Sequence, residues 1–78
     1  MPKEKTERII PLAPIDRLIR KAKVERVSEK AAVAMGEILE GLGLEIAGMA
    51  RDLAEHAHRK TVNGNDIQLA YRQWRRKL

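Results

Sequence analysis

Apolar residues fall three or four apart, or side by side, along most of the chain. The longest such run is Met35, Ile38, Leu39, Leu42, Ile46, Met49, Ala50, Leu53 and Ala57. It forms one stripe on a helix of 3.6 residues per turn, and its phase does not slip. Four glycines oppose a helix there, Gly36, Gly41, Gly43 and Gly48. Each costs roughly 1 kcal/mol relative to alanine in a helix interior. A hairpin turning at Gly41-Leu42-Gly43 would reset the phase, so the unbroken stripe predicts one long central helix of roughly 40 Å. Small residues near its middle, Gly43, Ala47 and Ala50, leave room for a second helix to cross closely.

The flanking patterns are shorter. A first helix is expected from about Pro14 to Ala22, with proline in the first turn, where its missing N–H costs nothing. Ile15, Leu18 and Ile19 form its apolar side, and Arg17, Arg20 and Lys21 share another. Asp16 is expected near the positive end of the helix dipole. Lys23 to Val27 reads as a partly extended connection, followed by Ser28 as N-cap of the long helix and Glu29 in its first turn. His58 to Val62 is a second, basic connection. Asn63 with Asp66 three residues on is a capping-box signal. The third helix then carries Ile67, Ala70, Tyr71 and Trp74 on one side and ends in Arg75-Arg76-Lys77, favourable against the negative helix terminus. The fold class is therefore all-α, in the order short helix, loop, long helix, loop, short helix. Two short helices cannot cover so long a central one, and the apolar surface left over calls for a second chain.

Composition narrows the possibilities. The 78 residues allow one domain, include no cysteine, and so hold no disulfide or thiolate metal site. A domain this small commonly needs a staple or a partner, which leaves exceptional packing or oligomerisation. No stretch is long and apolar enough to span a membrane. The N-terminal residues lack the apolar segment of a secretion signal, so the protein is expected in the compartment where it is made. Residues 1–9 are expected to be a short disordered extension, and residues 10–78 the folded domain. There are 16 Lys and Arg against 11 Asp and Glu, a net charge of +5, and a pI near 10.0. Between Glu29 and His58 the sum is −4, which leaves +9 on the flanks. Positive flanks around an acidic middle favour a polyanionic partner.

Several ordered blocks, Leu12-Ala13-Pro14-Ile15-Asp16-Arg17-Leu18-Ile19, Glu25-Arg26-Val27-Ser28, His58-Arg59-Lys60-Thr61-Val62 and Asp66-Ile67-Gln68-Leu69-Ala70, resemble the signature stretches of archaeal histones. The resemblance runs without gaps from about Ile10 to Arg75. It implies the histone fold as an intertwined head-to-tail dimer, in which each first loop lies beside the partner's second loop. It further implies an architectural chromatin protein that binds, bends and wraps double-stranded DNA largely without sequence specificity. Homodimers, or heterodimers with another histone, would join into larger oligomers along the DNA, giving a cytoplasmic protein associated with the chromosome. Through the resemblance Arg26 corresponds to an arginine that enters the minor groove. Arg17, Arg20, Lys60 and Thr61 correspond to phosphate contacts. Arg59 and Asp66 correspond to a buried intrachain ion pair, although Asp66 could instead serve its own helix cap, and one carboxylate could do both. Leu53, His56 and Asp66 correspond to a dimer–dimer surface.

Some positions depart from the family pattern. Lys23 stands where glycine is common, at a face where successive protein–DNA turns would stack. Leu44 and Met49 stand where polar residues are common. The rival function is a histone-fold protein–protein interaction module of a transcription or kinetochore-type complex. An enzyme or metal protein is disfavoured: His56 and His58 point in different directions on a helix, and no nucleophile or phosphate loop is recognisable. No cofactor is expected.

Overall fold

The computed structural model describes residues 8–78. The expected extension falls mostly on residues 1–7, outside the described residues. Three helices follow in order: α1, Leu12–Arg20, α2, Glu29–His56, and α3, Gly64–Arg76. Among the described residues there is no strand, no helix long and apolar enough to cross a membrane and no cluster of three metal-ligating side chains.

α1 starts and ends two residues before its expected limits. Pro11 is its N-cap, in extended conformation, which places Pro14 third in the helix. Any of the first four N–H groups is unpaired, so proline is as comfortable there as at the first position. The helix closes through tightened turns, with the N–H of Ala22 on the carbonyl of Ile19 and that of Lys23 on Arg20, both at 3.0 Å. Lys23 then takes a left-handed conformation, φ 71°. Asp16 lies beyond the first turn and pairs instead with Arg20, Nε to Oδ2 at 2.8 Å.

α2 is one continuous helix of 28 residues, with no turn at Gly41–Gly43. Ser28 Oγ accepts from the N–H of Ala31 at 3.0 Å, supplying the cap that the sequence suggested. At the other end the N–H of Arg59 reaches the carbonyl of Ala54, and that of His58 reaches Glu55, both at 2.9 Å. This pair of bonds is the Schellman closure, and it puts its next-to-last residue in the left-handed region. That residue is His58, φ 60°. α3 opens on a complete capping box: Asp66 N–H donates to Asn63 Oδ1 at 3.0 Å, and Asn63 N–H donates to Asp66 Oδ2 at 2.9 Å.

The chain divides into two compact units between Gly41 and Leu42. In the first, Ile15 of α1 is 1% exposed and lies directly over α2 at Gly36, where a β-carbon would come within 2.7 Å of Ile15 Cδ1. In the second, Ala50, Ala54 and Ala70 are buried. Among the described residues, the buried apolar set is Ile15, the one large side chain, with Ala32, Ala50, Ala54 and Ala70. Leu18, Ile38, Leu44, Ile67, Leu69 and Tyr71 are all exposed.

Candidate nucleic-acid interface

The first unit carries the arginines of α1 and the loop after it, loop 1 (residues 21–28). Arg17, Leu18, Arg20, Lys21 and Pro14 border a shallow cleft on α1. Arg20 is held on two sides: its Nε donates to Asp16, and its Nη1 donates to the carbonyl of Glu25 at 3.3 Å. It therefore ties the end of α1 to loop 1 immediately before Arg26. Arg17 and Arg26 are exposed, and neither joins an ion pair among the described residues. Two guanidinium groups are thus open to an outside anion, and a third is partly committed to shaping the loop between them.

The second unit holds loop 2 (residues 57–63). Arg59 lies against Asp66 in a two-pronged pair, Nη1 to Oδ2 at 2.8 Å and Nη2 to Oδ1 at 2.9 Å. Its Nη1 also donates to the carbonyl of Thr61 at 3.1 Å. Asp66 therefore serves the cap and the arginine together, a double use that the sequence allowed for one carboxylate. The Arg59 hydrogen bond, joined by the N–H of Asn63, holds the Asp66 carboxyl down at about 2, outweighing the opposing effect of its burial. The same contact raises Arg59. One guanidinium thereby fixes the course of residues 59–66, with Lys60 and Thr61 exposed at the outer edge.

Leu53 and His56 line a second shallow pocket together with Met49, Asp52 and Gln73. Met49, an unusual apolar residue from sequence, thus sits with two of the expected dimer–dimer residues. His56 is exposed, its Nδ1 lying 3.2 Å from the carbonyl oxygen of Asp52, and Nε2 remains for an outside partner. Asp66, expected on the same surface, is 5% exposed and already accepts three hydrogen bonds. A carboxylate has about four acceptor positions, which leaves it one.

Two features had escaped the sequence reading. The N–H groups of Ile9 and Ile10 both donate to Glu40 Oε2, at 2.6 and 2.7 Å, so the chain entering α1 is anchored to α2 from Ile9 onward. A contact between residues some thirty positions apart leaves no local signal. The other is a cleft bordered by Arg72, Arg75 and Arg76 on α3. Its signal is the i, i+3, i+4 spacing of Arg72, Arg75 and Arg76, of which the sequence reading used only Arg75 and Arg76, as compensation for the helix terminus.

Known proteins are similar over most of the chain. Residues 8–71 match the family model described as histone-like transcription factor (CBF/NF-Y) and archaeal histone. An archaeal histone HAN1 subunit of Thermococcus zilligii is 56% identical over 61 residues, covering 78% of this chain and 91% of that protein. Probable archaeal histone 3 of Methanocaldococcus jannaschii is 48% identical over 63 residues, 81% of this chain and 94% of the relative. The match spans all of α1 and α2, both loops and the first half of α3, so the chain belongs to the family of histone-like CBF/NF-Y transcription factors and archaeal histones and has the histone fold.

Proposed function

We propose that this protein is an architectural DNA-binding histone. Two chains would clasp through their long helices and bend duplex DNA over a ridge made by α1, loop 1 and the partner's loop 2. The family is one of structural proteins, and the chain is no enzyme. The observation that carries the DNA reading is the pairing pattern of the basic residues. Arg59 is spent internally on Asp66, while Arg17, Arg26, Lys60 and Thr61 stay exposed and Arg17, Arg26 and Lys60 are without carboxylate partners among the described residues. On the proposed clasped dimer these residues would line one ridge. Arg26 suits a narrowed minor groove because a guanidinium is weakly hydrated and the groove's potential is strongly negative. Arg17, Lys60 and Thr61 suit phosphates, and the N-termini of helices add their dipoles. Arg20 fits better as a brace that also offers a charge than as a freely moving phosphate ligand.

Dimerisation is supported by what one chain leaves uncovered. At 100° per residue, Ala32, Gly36, Gly43, Ala47, Ala50 and Ala54 share one arc of α2. Ala32 and Gly36 are buried toward one end, and Ala50 and Ala54 toward the other. Gly43 stands between them at the midpoint of Glu29–His56, and a β-carbon added to it would meet nothing within 4 Å. A second α2 crossing there would cover it. Dimers would then meet through Leu53, His56 and the remaining acceptor of Asp66, and the assembly would sit on the chromosome.

The test is nuclease digestion of random-sequence DNA saturated with the pure protein. Protected fragments that grow by a fixed increment support wrapping and dimer–dimer polymerisation. A single short fragment keeps DNA binding but rejects the extended assembly. Absence of protection moves the reading to a protein–protein interaction module needing a different chain. Arg26→Ala is expected to reduce bending and affinity, and unchanged bending would reject its minor-groove role.

A further inference from the structure

The C-terminal half of α3 carries a cluster that the ridge does not use. Arg72, Arg75 and Arg76 stand at i, i+3 and i+4 and border one shallow cleft. All three are exposed. No acidic residue follows Asp66 in the chain, and none of the three arginines joins an ion pair among the described residues. The cluster is also partly pre-organised. The guanidinium of Arg75 lies over the Tyr71 ring, 5.6 Å from its centroid, and that ring stacks on Trp74 at 6.2 Å with 22° between the planes. An arginine already seated on an aromatic face gives up little freedom when it binds.

Compensation of the helix dipole does not account for this arrangement. One or two cations in the last turn satisfy that role, yet Arg72 lies a full turn earlier and faces the same cleft. Three arginines that border one shallow cleft and join no ion pair among the described residues suit an anion with several oxygens, and phosphate meets that description. The helix rises about 18 Å from Gly64 to Arg76, so the cluster is well separated along α3 from Lys60 and Thr61 of loop 2.

We propose that Arg72, Arg75 and Arg76 form a second phosphate-binding site, which holds the backbone of DNA away from the ridge. The site rests on the DNA-binding reading above. The phosphates would belong either to a farther stretch of the same duplex or to a second duplex.

The experiment compares the full chain with the triple variant Arg72→Gln, Arg75→Gln, Arg76→Gln. Affinity for a short random-sequence duplex is measured across a range of salt concentrations. Each lost phosphate contact flattens the slope of log K against log salt by about 0.9. The triple variant is therefore expected to lose about 2–3 per chain, with bending through Arg26 retained. The triple Arg→Lys variant keeps the charges and should keep most of the slope. If the wild-type protein also captures a labelled free duplex onto bead-tethered DNA, and the Gln variant does not, the phosphates come from a second duplex. A flattened slope without capture assigns them to the same duplex. An unchanged slope in a folded Gln variant, while the wild type binds DNA normally, overturns the site and leaves the ridge standing. Failure of the wild type to bind duplex at all overturns the ridge reading itself. Should the Gln variant not fold, the arginine Nε–Hε resonances of the wild type are followed on adding duplex; shifts at Arg75 and Arg76 support the site, and their absence rejects it.

Discussion

Lys23 and His58 each occupy a left-handed backbone position, with φ 71° and 60°. For an L-residue with a β-carbon that conformation costs roughly 1–2 kcal/mol, and glycine avoids it at some expense in unfolded-state entropy. This gives a backbone reason for the glycine that the resemblance to archaeal histones leads one to expect at Lys23. Lys23→Gly and His58→Gly are each expected to raise stability by about 0.5–1 kcal/mol in denaturant unfolding. A loss would mean that the side chain makes a contact in the dimer that outweighs its backbone. Asp66 makes a different demand. Its folded carboxyl titrates at about 2, against 3.8 for an ordinary aspartate. Because the folded value is depressed, its contribution is fully present above about pH 4 and disappears as pH falls toward 2. Asp66→Asn should lower the melting temperature at neutral pH. It should also flatten the fall in melting temperature between about pH 4 and pH 2, and an equally steep fall in the variant would assign the acid sensitivity to other carboxylates.

At the scale of elements, the glycines of α2 divide by what surrounds them. At 100° per residue Gly41 and Gly48 fall away from the small-residue arc of α2, and a methyl group at either meets nothing within 4 Å. Gly41→Ala and Gly48→Ala should each stabilise the protein by up to about 1 kcal/mol through helix propensity. Gly43 looks equally open in one chain, yet it belongs to the small-residue arc at the helix midpoint. Gly43→Ala is expected to destabilise by about 1–3 kcal/mol, as an overpacked contact does. A gain like that of its neighbours would show that no second helix crosses there. The continuous helix was legible because a stripe from Met35 to Ala57 keeps its phase whatever glycine does to propensity. Both N-caps were legible because Ser28 and the Asn63–Asp66 spacing state their hydrogen bonds locally. The limits of α1 were not, because proline is tolerated at several first-turn positions and the left-handed Lys23 carries no glycine to announce it. The Glu40 clamp on Ile9 and Ile10 was invisible, since it depends on α1 and α2 already being packed. The Arg59–Asp66 pair was placed by resemblance and the Asp66 cap by local spacing, and in the structure one carboxylate completes both.

For the whole molecule, the question is whether one chain can stand alone. Among the described residues the buried apolar set holds a single large side chain, Ile15, while Ile38, Leu44, Leu69 and Tyr71 face outward. So small a core cannot offset the entropy of ordering about seventy residues. The charge layout points the same way: the helix that would form the dimer centre sums to −4 and the flanks to +9, so a clasped pair would keep its positive charge on the outside, where DNA could reach it. Folding coupled to dimerisation makes the melting temperature depend on protein concentration. Tenfold dilution removes about 1.4 kcal/mol of apparent stability from the dimer. Two chains of this length unfold with an entropy of about 0.3 kcal/mol/K, so each tenfold dilution should lower the melting temperature by about 5 °C. The measurement is a calorimetric or circular-dichroism melt of the DNA-free protein over a wide concentration range. A melting temperature that does not move would mean that the exposed apolar face of α2 is covered within the single chain or by nothing. The obligate dimer would then be rejected, and with it the ridge that needs loops from two chains.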